Sequence, residues 1–394
     1  MTRIPITGIG VIAPGATGVE AFRAQLASGT TAVATVERFD TAGLSAHKAA
    51  LVTGFKPRDF INPMKMRRMN ALSRLGVAAA KLAIEDCGGT LDPATGVAIG
   101  TAFGPVQTSV EYMQEYVAKG AALAPPQLFA ESVANAPGSH IAIEWGLRGF
   151  NITITQRESS TMAAAMLAAT QLLKGAVSSA LIGGVDEANE MLFSVLDRIG
   201  ALAHANGAVD EAARPFDRRR NGIVLGEAGA VLVAGGGTRK PYGWLSGFGM
   251  TRDTTASISD WGSGHDTVVT AMRAAIDDAG LTLADIDAVY ASANGSLRGD
   301  ALEQRALESL FGERIPPVVA TKGIFGEYAA GGALQLAAAL LALDEQRLHA
   351  SPGFEEGDLP VTRETREMAL RHVLVNTLSA GGGVVCAVVS REGE

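Results

Sequence analysis

Residues 151–187 read NITITQRESSTMAAAMLAATQLLKGAVSSALIGGVDE, and this stretch decides the fold. Its β-branched start predicts a strand, and the pattern changes to helical spacing after a polar turn. A second apolar run predicts another strand. The predicted elements are a strand at Ile152–Thr155, a turn at Gln156–Glu158, a helix from about Ser159 to Lys174, and a strand at Ala180–Ile182 that ends at Gly183 and Gly184. Strands that alternate with helices indicate an α/β protein.

The turn between the first strand and the helix predicts a nucleophile elbow, a geometry that pushes one side chain out of a tight turn. The dipole and free N–H groups of a helix N-terminus favour a negative charge there. A thiolate or an activated hydroxyl would suit this place, but the chain has Glu158 between Arg157 and Ser159. We interpret Glu158 either as a reactive carboxylate or as a cap of the helix N-terminus, paired with Arg157.

Composition excludes several classes of protein. The 394 residues have a net charge of −8 and no basic arm, which argues against binding to nucleic acid. No apolar segment reaches the roughly 18 to 20 residues of a membrane span, and the N-terminus reads as a strand rather than a signal sequence. Cys87 and Cys386 lie far apart and are expected to be buried thiols, which suits a reducing cytoplasm. We expect no metal site.

The second half of the chain repeats the first. The apolar segment GALQLAAALLAL at 332–343 resembles MAAAMLAATQLL at 162–173, and each follows a predicted strand and turn. This repeat suggests an internal duplication with two sheets packed about a pseudo-twofold axis. Because GGG at 235–237 is the best linker, we divide the chain into an N-terminal half, 1–237, and a C-terminal half, 238–394.

Five motifs together carry a family resemblance. They are ITGIGVIAPG at 6–15, ALIGGVDE at 180–187, RPFDRRRNGIVLGEAGAVLV at 214–233, ATKGIFG at 320–326 and VNTLSAGGGV at 375–384. In this order they resemble the β-ketoacyl-acyl-carrier-protein synthases over almost the whole chain. The resemblance implies a thiolase fold, a duplicated five-layered αβαβα protomer that dimerises along the elbow strands. It also implies that an acyl chain enters each elbow pocket on the phosphopantetheine arm of an acyl carrier protein, with no other cofactor.

The chain departs from this family at the positions that matter for condensation. The resemblance places a catalytic Cys at Glu158, a His at Asn294 and a second His at Glu327, whereas the family's Lys is retained as Lys322. The family's gatekeeper aromatic corresponds to Ala380, or to Leu378 if the last Gly-rich loop is shifted. For Glu327 the alternative to a functional role is an ion pair with Lys322. Without the Cys and both His residues, condensation by this chain alone is disfavoured.

The resemblance therefore favours a non-condensing subunit. Chain-length factors of type II polyketide systems keep the fold, replace the elbow Cys and pair with an active ketosynthase as a heterodimer. Such a subunit would set chain length in polyketide, polyene or fatty-acid-type synthesis. The alternatives are a stand-alone acyltransferase, decarboxylase or hydrolase that uses Glu158, as a mixed anhydride or as an acid/base pair with Glu327, and a structural homodimer that binds acyl chains.

Two surfaces follow from the resemblance. The wall of the acyl tunnel corresponds to FGPVQTSVEYMQE at 103–115, partly in a predicted helix at Val106–Lys119, where a bulky side chain would stop elongation. Its candidate length gates are Gln107, Val110, Glu111 and Tyr112, with Met113 and Phe129 nearby; the alternative is that they only pack a dimer interface. A basic cluster of Lys65, Arg67 and Arg68 resembles the docking patch for an acidic carrier protein, or is a solvated loop cluster.

Overall fold

The computed structural model describes residues 3–328 and 330–391, and its strands form two half-sheets with the same order and direction of strands. One half-sheet has the order β6–β5–β7–β8–β1, and the other has the order β11–β10–β14–β15–β9. The strands are β1 (Ile4–Ala13), β2 (Ala16–Thr17), β3 (Ala34–Thr35), β4 (Lys48–Ala49), β5 (Gly96–Gly100), β6 (Asn151–Ile154), β7 (Ser179–Asp186), β8 (Ala228–Gly235), β9 (Gly243–Arg252), β10 (Ala288–Tyr290), β11 (Val318–Val319), β12 (Arg347–Leu348), β13 (Arg366–Glu367), β14 (His372–Leu378) and β15 (Gly383–Ser390).

The helices cover both outer faces of the half-sheets and fill the space between them. They are α1 (Val19–Ser28), α2 (Pro63–Met66), α3 (Ala71–Asp86), α4 (Val106–Lys119), α5 (Pro126–Glu131), α6 (Ala136–Trp145), α7 (Ser160–Leu173), α8 (Glu190–Arg198), α9 (His265–Asp278), α10 (Leu297–Phe311), α11 (Lys322–Phe325) and α12 (Ala333–Glu345). None of those in residues 3–328 and 330–391 combines the length and apolar character that a membrane span needs.

Alternating side chains on the strands build three layers of core. On β15, for example, Val385 and Ala387 face the central core around α7 and α12, whereas Cys386 and Val388 face α9 and α10. The outer face of the first half-sheet packs in the same way against α3 and α6. Because neighbouring residues of a strand point to opposite faces, each half-sheet is covered on both sides. The five alternating layers predicted from the sequence are confirmed.

The sequence predicts two sheets, but the two half-sheets form one continuous sheet. Strand β1 pairs antiparallel with β9 through Ile4–Ile6 and Gly243–Leu245, which joins the halves at their first strands. Both cysteines are buried and free, as expected. The boundary at residues 237 and 238 stays a prediction.

The predicted end of a strand at Gly183 and Gly184 is wrong. Strand β7 continues through both glycines to Asp186 and pairs with β8 along its whole length. The glycines serve close packing rather than a turn. A Cβ on Gly184 would lie 2.1 Å from the carbonyl oxygen of Ala330 and 2.1 Å from Oγ1 of Thr161, so no larger residue fits between β7, α7 and the segment before α12.

Candidate functional site

The predicted elbow is present between β6 and α7. A single 3-10 turn, Arg157–Ser159, connects the strand to the helix, and Arg157 has a φ of 47° in the left-handed region. A non-glycine residue in this region is strained and persists only where its surroundings hold it. The Gln156 N–H donates to Oγ of Ser160 at 2.8 Å, and Oγ of Ser379 donates to the carbonyl oxygen of Gln156 at 2.8 Å. The elbow is thus fastened to the Gly-rich loop that follows β14.

Glu158 lies in this turn and is only 1% exposed. Its Oε2 accepts the N–H of Ala380 at 3.2 Å, and its Oε1 has no hydrogen-bond partner among the described residues. The predicted helix cap is therefore wrong, because this carboxylate bonds to the loop after β14 instead of to α7. Burial and the neighbouring Glu327 raise the pKa of Glu158 to about 7, against a partial opposing effect of Lys322 and Arg157.

Three predicted site residues meet in one hydrogen-bonded cluster. The carboxylate of Glu327 accepts Nζ of Lys322 at 2.7 Å and Nδ2 of Asn294 at 2.6 Å, both on Oε2, and the N–H of Tyr328 at 2.7 Å on Oε1. The predicted ion pair between Lys322 and Glu327 is confirmed. Glu327 is only 2% exposed, so the cluster is closed off from solvent. We call Asn294, Lys322 and Glu327 the polar cluster.

The fold brings these residues together because the repeated halves face each other. Glu158 follows β6, and the segment from Lys322 to Glu327 follows β11, the strand at the corresponding place of the second half-sheet. Asn294 lies beyond the carboxyl end of the parallel strand β10. The carboxyl ends of parallel strands are the usual place for a site in such sheets.

Two buried carboxylates behind the polar cluster escaped the sequence interpretation. Asp300 accepts the N–H groups of Asn294 and Gly295, and Glu303 accepts the N–H of Ser292 at 2.9 Å. Burial raises the pKa of Asp300 to about 6 and that of Glu303 to about 7. Their spacing of three residues on α10, facing the loop after β10, is the signal that could have revealed them. These carboxylates hold Asn294 and its loop in place.

A cavity of about 700 Å³ opens at Glu158. Arg157, Tyr328 and Ala380 line it beside Glu158, and its wall includes Phe103 and the apolar side of α8. Among the described residues that line this cavity, none comes from the polar cluster and none is a Cys or a His. Of the two candidates for the gatekeeper position, Ala380 lines the cavity, whereas Leu378 is buried in the core of the second half.

Tyr328 is a site residue that the sequence interpretation missed. It is 5% exposed, has a φ of 62° and packs its ring edge-on against Phe103, with 4.9 Å between the ring centroids. Burial and the charges of Glu158 and Glu327 raise the pKa of its phenol. Its position directly after Glu327 was the available signal, but nothing in the sequence indicates a left-handed backbone at a tyrosine.

The candidate length gates lie on helix α4, away from the Glu158 cavity of this chain. Gln107 donates to Glu111 at 3.0 Å on an exposed face, and Tyr112 packs against Phe129 with 5.5 Å between ring centroids. Val110 is partly buried on the same helix. Gln107 lines a different cavity, next to Glu187 and Arg74. Their role as gates stays a prediction, since a tunnel along α4 would need a second subunit to close it.

The basic cluster lies on the surface around α2. Lys65, Arg67 and Arg68 are exposed, and Lys65 forms an ion pair with Glu144 at 2.9 Å. Docking of a carrier protein to these residues stays a prediction. Within residues 3–328 and 330–391, no group of three His, Cys, Asp or Glu side chains is arranged to hold a metal ion.

Comparisons with known proteins cover almost the whole chain. Models for the N-terminal and C-terminal domains of beta-ketoacyl synthases match residues 1–236 and 242–355. The ketoacyl synthase beta and alpha subunits of the tetracenomycin polyketide synthase of Streptomyces glaucescens are each 30% identical to this chain; 99% and 100% of the chain, respectively, aligns with 98% of each subunit. The solved structure of the ishigamide ketosynthase/chain length factor matches with a TM-score of 0.90 and 26% identity over 99% of both chains. These matches confirm the predicted thiolase fold.

Proposed function

We propose that this chain, which belongs to the beta-ketoacyl synthase family, is a non-condensing, chain-length-factor-like subunit that pairs with an active β-ketoacyl synthase. Together the two chains would form and limit the tunnel for a growing chain in type II polyketide, polyene or fatty-acid-type synthesis in the cytoplasm. The observation that carries the proposal is the polar cluster, in which Glu327 accepts hydrogen bonds from Asn294 and Lys322.

The chemistry of these residues does not suit condensation. A condensing site needs a thiolate to take the acyl group from a thioester, and donors that stabilise the enolate or oxyanion. Glu158 is a weak nucleophile towards a thioester, and its product would be a reactive anhydride. Asn294 cannot move a proton at pH 7, and its amide is already bonded to Glu327. Glu327, paired with Lys322, presents a carboxylate that would repel a malonyl carboxylate.

The surface of the chain supports association with a second subunit. Strand β6 is the last strand of its half-sheet and, within the described part of the chain, pairs on one side only, with β5. Helix α6 packs against β6, and a group of large apolar side chains on and around α4, α5 and α6 is exposed. We call this group the apolar face: Met113, Tyr116, Val117, Leu123, Phe129, Val133 and Ile143. An open sheet edge beside an apolar face is typical of a protein interface.

This geometry also supports a chain-length role. The candidate gates Gln107, Val110, Glu111 and Tyr112 lie on α4, the helix that contributes most to the apolar face. A partner that covers this helix would turn its side chains into the wall of a shared tunnel, where bulky groups limit the length of an acyl chain. Malonyl or acyl groups would arrive on the phosphopantetheine arm of an acyl carrier protein. The carrier protein would dock at Lys65, Arg67 and Arg68 of this chain or would dock on the partner.

Co-expression with an active ketosynthase tests the proposal. We expect the two chains to purify as a one-to-one heterodimer and the product length to change when Tyr112 is replaced by Ala, because the tunnel is lengthened. The control is Ile258→Ala, which removes an exposed apolar side chain outside the apolar face and should leave product length unchanged. Purification of this chain only as a homodimer, with no effect on the partner's products, would contradict the proposal.

A second candidate function is favoured by the state of Glu158. This residue lines the 700 Å³ cavity, its Oε1 has no hydrogen-bond partner among the described residues, and its pKa is raised to about 7. A carboxyl group poised near neutral pH can act as a general acid or base, or can attack a thioester carbonyl so that the thiolate leaves and a mixed anhydride forms. Acyltransferase, decarboxylase or hydrolase activity of the isolated chain that is lost in Glu158→Gln would favour this function.

A further inference from the structure

Two compartments meet at the elbow. On one side is the open cavity of about 700 Å³ that Glu158 lines. On the other side is the polar cluster, where Lys322 and Glu327 line a void of only about 10 Å³ and Asn294 borders a void too small to measure. A void of this size holds at most a single water molecule, so a substrate could not occupy it. Something must therefore separate the cavity from the polar cluster.

Tyr328 lies at the boundary between these compartments. Its side chain lines the cavity, and its own N–H donates to Oε1 of Glu327 in the polar cluster. The carboxylates of Glu158 and Glu327 both act electrostatically on its phenol. Tyr328 thus belongs to the cavity wall and is joined to the polar cluster through its backbone, whereas Trp261 lines both the cavity and the void beside Asn294.

The position of the Tyr328 ring is held by several contacts at once. A bulky residue in the left-handed region is strained, so the φ of 62° at Tyr328 requires compensation. The bond to Glu327 fixes its backbone, and the bridge between Leu225 and Glu327 fixes the residue before it. The edge-on contact with Phe103 fixes its ring. A side chain held in this way is a wall rather than a mobile surface group.

We propose that Tyr328 is a built-in partition that denies substrates in the Glu158 cavity access to the polar cluster behind it. A thioester carbonyl in the cavity would meet Glu158 and the Ala380 N–H but could not reach Asn294, Lys322 or Glu327. This role rests on the proposed function. The lack of condensation would then have two causes: the residue types at positions 158, 294 and 327, and the steric barrier at Tyr328. The partition also predicts that restoring a Cys and two His residues at 158, 294 and 327 gives no condensation while Tyr328 remains.

Thiol reporters on the two sides of the ring test the partition. Asn294→Cys places a thiol in the polar cluster, and Glu158→Cys places one in the wall of the cavity. Each is treated with iodoacetamide in the full-length chain, and the modified peptide is quantified by mass spectrometry; the natural cysteines are buried. Once a thiolate is available, the rate of alkylation depends on how easily iodoacetamide reaches it. We therefore expect Tyr328→Gly to accelerate alkylation at position 294 by about tenfold or more, and at position 158 by less than about threefold.

A matched variant separates the ring from the hydroxyl. Tyr328→Phe keeps the ring, so alkylation at 294 stays slow, whereas Gly adopts the positive φ without strain and removes the wall. If Asn294→Cys does not fold, the rate at which acetic anhydride acetylates Lys322 is compared with Tyr, Phe or Gly at position 328. Acetylation should then be fast with Gly and slow with Tyr or Phe. Equal rates at position 294, or at Lys322, with Tyr and Gly at 328 would overturn the partition. Because no partner is needed, this result is independent of whether the chain forms a heterodimer.

Discussion

Replacing Glu158 by Gln should change how stability depends on pH. Burial and Glu327 raise the pKa of Glu158 from its ordinary value of 4.5 to about 7. Between these values the folded chain keeps the proton of Glu158, whereas the unfolded chain has released it. The contribution of Glu158 to the free energy of unfolding therefore falls as the pH rises from 4.5 to about 7, and the loss is complete above about pH 7.

The magnitude follows from the size of this change in pKa. One pKa unit corresponds to about 1.4 kcal/mol, so raising the pKa from 4.5 to about 7 amounts to roughly 3 kcal/mol at alkaline pH. Glutamine keeps the shape of the side chain and an oxygen for the N–H of Ala380, but it cannot ionise. The free energy of unfolding of Glu158→Gln minus that of the native chain should therefore rise by about 3 kcal/mol between about pH 4 and pH 8.

Urea unfolding of both proteins across this pH range, at one protein concentration, measures the difference. Comparing the two proteins cancels the contributions of Asp300 and Glu303, whose raised pKa values are common to both. Glu313→Gln, at an exposed glutamate, is the control and should show no such trend. A difference between Glu158→Gln and the native chain that stays constant with pH would refute the assignment of a buried, protonatable carboxyl at the elbow.

The remaining predictions concern the polar cluster, the packing of β7 and the apolar face. Lys322→Met should lower the free energy of unfolding by about 3–5 kcal/mol, because it leaves Glu327 buried without its cation, and adding Glu327→Gln should recover most of the loss in urea unfolding. Gly184→Ala should cost about 3 kcal/mol or more in the same assay because of the 2.1 Å approaches, whereas Gly43→Ala, with open space around it, should change stability by less than about 0.5 kcal/mol. Val117→Asp should leave the stability of the single chain within about 0.5 kcal/mol but weaken the heterodimer in analytical ultracentrifugation, whereas Ile258→Asp, equally exposed before α9, should not.

The sequence predicts the elements around the elbow well because local chemistry decides them. Helix α4 has the predicted bounds, Val106–Lys119, and α7 starts and ends within one residue of the predicted helix. Both are long segments with helical spacing and without an internal Gly or Pro. The internal duplication is equally clear, since matching apolar helices lead to matching half-sheets.

The glycine pair of β7 could not be assigned from local pattern alone. Adjacent glycines usually mark a turn, and nothing near Gly183 and Gly184 in sequence excludes one. Their role depends on residues far along the chain, because Ala330 and Thr161 approach Gly184 from other elements. Close packing between distant segments overrides the local preference.

The residues of the site are predicted in identity but not in arrangement. The sequence pairs Lys322 with Glu327, which are five residues apart, and the structure adds Asn294 from the loop after β10. The sequence cannot reveal that Glu158 bonds to Ala380 instead of its own helix, because that contact joins residues 222 positions apart. The left-handed backbone of Tyr328 depends on the same long-range contacts.

The most direct test of the central claim is product formation by the purified pair of this chain and an active ketosynthase. Each chain is disabled in turn, through Glu158→Gln in this chain or through replacement of the catalytic cysteine in the partner. We predict that the pair with Glu158→Gln forms the same products at the same rate, whereas the pair with the disabled partner forms none. Loss of product in Glu158→Gln, in a pair that still assembles, would contradict a non-condensing role.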